Sequence, residues 1–126
     1  MKPKYIAIAL VTISVASALT ALALDPKYQP IADAMQYAHK APKGEKKVCE
    51  KIIAGTATDD EIKKALDLYK GMENVEPPKG DPADFKSRVE KLVAATQEVV
   101  DKKPDAAAHY KEAVNCKSCH TEHKPD

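Results

Sequence analysis

Apolar residues recur along most of this chain at the three- and four-residue steps of an α-helix. Ile31, Ala34, Met35 and Ala38 form one stripe, which Pro42 and Gly44 interrupt. The pattern resumes with Val48, Cys49, Ile52 and Ile53 and stops at Gly55, a residue suited to a left-handed C-terminal cap. Thr58-Asp59-Asp60-Glu61 has the form of a capping box, and its aspartates complement the helix dipole. Ile62, Ala65, Leu66, Tyr69 and Met72 form the stripe behind it. Asn74 to Gly80, with Pro77-Pro78 inside it, reads as a loop. Asp81-Pro82 opens a third helix as N-cap and first-turn proline, and Phe85, Val89, Leu92, Thr96 and Val99 follow at alternating steps of four and three. Lys102-Lys103-Pro104 ends it, and a last helix runs from Pro104 or Asp105 to about His123. No stretch alternates as a strand does. Four amphipathic helices with short connections predict an all-α antiparallel four-helix bundle, its first helix bent or broken at Pro42.

The N-terminal segment has a different character. Lys2 and Lys4 precede an uncharged, mostly aliphatic run from Tyr5 to Leu22, and Ala21-Leu22-Ala23 has a small-x-small cleavage pattern. Residues 1–23 therefore read as a secretory signal peptide and 24–126 as the mature domain, with the periplasm as destination. The alternative is an uncleaved anchor, since the apolar run approaches membrane-spanning length. No later stretch is apolar enough to span a bilayer, so a cleaved signal leaves no membrane segment. A chain of 126 residues with no Trp and one Phe has a thin core, for which an added staple helps. The net charge of +1 gives no reason to propose a nucleic-acid partner.

The chemistry concentrates near the C-terminus. Three cysteines, an odd number in an exported chain, argue against a simple disulfide framework. Asn115-Cys116-Lys117-Ser118-Cys119-His120 contains Cys-x-x-Cys-His, the attachment sequence for c-type haem. Residues at i, i+3 and i+4 of a helix share a face. Both sulfurs then reach the vinyl groups of one haem while the imidazole meets the iron, and the single motif predicts one covalent haem c. A thioredoxin-like reading needs a preceding strand, which is missing. Zinc on Cys116, Cys119, His120 and His123 would need ligands along one helix to close a tetrahedron, whereas such sites usually separate their ligand pairs by a longer loop. An incidental disulfide leaves the adjacent histidine unexplained.

On this motif, its place on the last of four helices and a first-helix Met-Gln-x-x-His stretch at residues 35–39, the chain resembles the class II c-type cytochromes, the cytochrome c-prime family. The resemblance covers nearly the whole mature chain in architecture. It implies a four-helix bundle with haem on the C-terminal helix and His120 as proximal iron ligand. It also implies that the first helix faces the distal side, where some members place a methionine and others leave the site open to small gases. Met35 is the distal candidate, although a methionine on an apolar stripe also serves as plain packing. His39, one turn later, is a second candidate, and otherwise a helix-end histidine beside Lys40. Met72 is a weaker one. The interruption at Ala41-Pro42-Lys43-Gly44 departs from the family's long first helix.

Methionine–histidine ligation suits a carrier of single electrons between redox partner proteins, the function expected here; an open site would suit nitric oxide or carbon monoxide binding. Of the remaining candidates, His109 reads as a packing or surface residue, and His123, near the terminus, as a solvated one. Cys49 reads as a buried apolar residue, with an intermolecular disulfide and a homodimer as the functional alternative. Lys102, Lys103, Lys111, Lys117 and Lys124 read as a solvated face, with steering of an acidic redox partner as the alternative. No Ser-His-Asp set, acid–base pair or phosphate loop argues for an enzyme.

Overall fold

The computed structural model describes residues 25–126; the signal-or-anchor segment lies outside the described residues. Within them the chain is all-helical: a 3-10 turn at Pro26–Tyr28, then α1 (Gln29–Ala38), α2 (Val48–Ala54), α3 (Asp59–Gly71), α4 (Pro82–Val100), α5 (Ala106–Ala113) and α6 (Cys116–His123). None of these helices is long and apolar enough to cross a membrane.

The local signals act as the residue chemistry dictates. Thr58 accepts from the Glu61 amide at 3.1 Å, and the Glu61 carboxylate accepts from the Thr58 amide at 2.9 Å, so two orphan donors of α3 are met reciprocally. Asp81 caps α4 by accepting from the Ala83 amide at 2.9 Å, with Pro82 already preset for the first turn. Gly55 ends α2 at φ 73°, in the left-handed region that glycine enters without a Cβ penalty.

Two boundaries differ from the sequence reading. The last helix starts at Ala106 because Lys102 and Asp105 both take left-handed backbone, at φ 53° and 59°, around Lys103-Pro104. It is also not continuous. It breaks at Val114–Asn115, where Asn115 leaves helical geometry and its side chain accepts from the Ser118 amide at 3.1 Å. Asparagine competes with the helix for backbone partners, and here it caps a new one. Cys-x-x-Cys-His therefore occupies a short helix of its own.

Packing joins α3 to α1 and α4, α4 to α5, and α5 to α2, which returns to α3; α6 rests on α4. The core runs through these contacts, with Ala34 and Ala38 of α1, Ile52 of α2, Ala65 and Tyr69 of α3, Phe85, Val89 and Leu92 of α4, and Tyr110 of α5. Small residues fill much of this interior, with Ala34, Ala38 and Ala65 at 0% exposure, in a core with one Phe and no Trp.

Gly80 sets the seat of α6. Its φ is 82°, and a Cβ there would stand 2.5 Å from the Glu122 carbonyl oxygen and 2.8 Å from His123 Nδ1. Gly80→Ala is expected to destabilise the protein by on the order of 2–3 kcal/mol through left-handed strain and displacement of α6. Urea denaturation checks the loss.

Candidate functional site

α6 has eight residues, which is too short to hold its helical form alone. Its anchors come from α4 and the preceding loop. His123, expected in solvent, is instead 4% exposed. Its Nδ1 donates to the Lys79 carbonyl at 3.0 Å and its Nε2 meets the Asp84 carboxylate at 2.8 Å. The Phe85 ring meets the imidazole edge-on at 5.3 Å. Arg88 completes the seat, donating to Asp84 at 2.7 Å and to the Ser118 hydroxyl at 2.6 Å. The Asp84 carboxyl is held below its usual range, first by Arg88 and then by His123.

This anchoring turns Cys116, Cys119 and His120 toward a cavity of about 870 Å³ between α6, α4 and α1. That volume falls in the roughly 300–1,000 Å³ range of cofactor sites. Ile31 and Met35 of α1, Met72 after α3, and Phe85, Val89 and Leu92 of α4 supply apolar wall. Cys49 of α2 lines it too, at 6% exposure. All three thiols are free, and burial raises the pKa of both Cys49 and Cys119. Every residue that the sequence proposed around one cofactor thus lies on one cavity: Cys116, Cys119 and His120 on one wall, Met35 and His39 on another.

His39 ends α1 as its C-cap, and its surroundings were not legible in the sequence. Its Nε2 lies 3.0 Å from the Tyr69 hydroxyl, which lies 2.7 Å from the Tyr110 hydroxyl. Both tyrosines are fully buried, and burial pushes both phenols up. His39 Nδ1 is buried without a hydrogen-bond partner. Burial, helped by the nearby His120 and Lys47 charges, pushes the imidazole down to about 4, so the ring is neutral near pH 7.

The other candidates lie apart. His109 is exposed and pairs with Glu98 at 2.6 Å, away from the cavity. His123 is occupied by Asp84 and Lys79, so the four residues of the zinc reading do not converge; among the described residues no group of three or more His, Cys, Asp or Glu side chains gathers as a metal cluster. Lys102, Lys103, Lys111, Lys117 and Lys124 are all exposed. Tyr69 was visible in the sequence only as a stripe residue; the need of its hydroxyl for a partner was the signal that pointed further. Comparison with protein-family models, curated proteins and solved structures finds no match for this chain.

The depressed pKa of His39 has a definite sign. The unfolded chain takes up the proton near pH 6.5 while the folded chain resists it until about pH 4. Stability is thus whole above pH 6.5 and falls as the pH drops through that window, by up to about 3 kcal/mol in the cofactor-free chain. Urea midpoints measured at neutral and acidic pH are expected to show this loss, and His39→Gln to reduce it.

Proposed function

We propose that this chain is an exported, periplasmic monohaem c-type cytochrome of the class II kind, a four-helix bundle that carries single electrons between redox proteins. The observation that carries the reading is the meeting of Cys116, Cys119 and His120, one turn of one helix, with an apolar-walled cavity of cofactor size. The residues fit the group. Cys116 and Cys119 would form the two thioethers and His120 would take the iron from the proximal side. The apolar wall of Ile31, Met72, Phe85 and Leu92 would cover the macrocycle face. When bound, haem supplies a one-electron couple between ferric and ferrous iron.

The chain's own residues do the rest. The His123–Asp84–Arg88 anchor holds α6 in one orientation, so the proximal imidazole keeps its register to the cavity. The apolar side chains of Ile31, Met72, Phe85 and Leu92 would disfavour the extra charge of a bound ferric haem and so would raise its reduction potential. Exposed Lys117, between the two cysteines, and Lys124 beyond them put positive charge beside the attachment helix. That placement suits encounter with an acidic partner and makes the encounter rate fall with salt.

Expression in a periplasm with a c-type haem maturation system is expected to give a coloured protein. Its pyridine haemochrome should show two saturated vinyl groups and one haem per chain. Cys119→Ala should leave one vinyl unsaturated and cut the yield several-fold. A colourless protein, or one that carries zinc, would overturn the reading. Ferrous protein that is high-spin and takes up carbon monoxide on mixing would move the function to gas binding.

A further inference from the structure

Resting on the cytochrome reading above, we propose that Lys40 and Lys47 hold the two haem carboxylates, so that the propionate edge lies at the corner between α1 and α2. The charge around the cavity is the first observation. Residues 25–126 carry eighteen Lys and Arg against nineteen Asp and Glu, so the described residues are slightly acidic as a whole. The cavity has the opposite balance. Lys40, Lys47, Lys91 and Lys124 all line it, and its two carboxylates are those of Asp84 and Glu112. Asp84 is already engaged by Arg88 and His123. Among the described residues none of those four ammonium groups has an ion-pair partner, whereas Lys51, Lys79, Lys86 and Lys102 each have one. Apolar walls with unmatched positive charge at the rim fit an occupant with an apolar body and anionic ends.

The placing of the lysines separates them. Cys116 and Cys119 would take the vinyl edge of the macrocycle, and the propionates leave from the opposite edge. Lys124 directly follows α6, and Lys91 stands on α4, on which α6 rests. Lys40 and Lys47 come from the other wall: Lys40 follows the C-cap of α1, and Lys47 is the N-cap of α2. The interruption between these helices is an ordered turn. The Glu45 amide donates to the Pro42 carbonyl at 3.0 Å, and the Lys47 amide donates to the Glu50 carboxylate at 2.8 Å. These bonds fix the backbone that carries Lys47, and its charge is near enough to help lower the pKa of His39, the residue before Lys40. Both lysines are exposed. An ammonium on a flexible four-carbon stem can follow a carboxylate whose place is set by attachment elsewhere. The break in the first helix thereby gains a use, as the corner that presents two cations to one cofactor.

Two measurements test the assignment. In the matured holoprotein, the resonance Raman propionate bending mode reports the hydrogen bonding of the carboxylates. The double change Lys40→Gln and Lys47→Gln is expected to shift that mode, and Lys91→Gln to leave it at the wild-type frequency. The second measurement uses the full chain with Cys116→Ala and Cys119→Ala, titrated with iron protoporphyrin IX and with its uncharged dimethyl ester. The dicarboxylate should bind up to about tenfold tighter than the ester at low salt, the scale of two exposed ion pairs. High salt, or the two lysine changes, should remove most of that preference. An unshifted mode in the double lysine variant, or a shift caused by Lys91→Gln instead, would overturn the proposal and leave the cytochrome reading standing. If the lysine variant does not mature, equal affinity for acid and ester overturns it in the same way. A wild-type chain that takes up no haem overturns the cytochrome reading itself, and this proposal with it.

Discussion

The buried His123 is the contact on which the functional geometry depends. An eight-residue helix cannot sustain itself in water, and α6 rests on α4. What fixes it is a single imidazole bonded on both nitrogens, to the Lys79 carbonyl and the Asp84 carboxylate, with Arg88 tied to Asp84 and to Ser118. The close approach is open only because residue 80 has no side chain. Cys116, Cys119 and His120 face the cavity as a consequence of contacts made by residues that bind nothing.

The same economy governs the opposite wall. His39 gains its orientation from two tyrosines on other helices, and none of the three is close to the others in sequence. The hydroxyls in this core are exceptions in an otherwise aliphatic interior, and each is spent on a neighbour's polar atom. Thr96 behaves likewise, returning its hydroxyl to the Leu92 carbonyl at 2.6 Å. Buried polar atoms that are met in this way fix one arrangement of the helices, whereas apolar packing alone tolerates several.

The helices were legible where a local rule decides them. The capping box at Thr58, the Asp81-Pro82 start, the Gly55 stop and the stripes from Ile62 to Met72 and from Phe85 to Thr96 all depend on neighbours within a turn or two. The motif at Cys116 was legible for the same reason. The break at Val114–Asn115 was not, because an asparagine is read as an interior residue or a cap only once the helix around it is known. The burial of His123 and the His39–Tyr69–Tyr110 chain were invisible because their partners lie 30 to 44 residues away in sequence. Near-terminal position suggested solvent for His123, but an acceptor on each side outweighs the usual fraying of chain ends.

The joint at Val114–Asn115 divides the molecule in a way that the helix count alone conceals. The principal hydrophobic cluster draws its members from α1 to α5 and none from α6. Undocking the terminal segment therefore breaks the polar contacts of Ser118 and His123 and uncovers the edge of Phe85, while the rest of that cluster keeps its partners. With so few contacts to the rest, α6 is expected to open at a cost below that of global unfolding. An eight-residue helix lifted from α4 would lose its helical form and present Cys116 and Cys119 on extended chain, and would regain one wall of the cavity on docking.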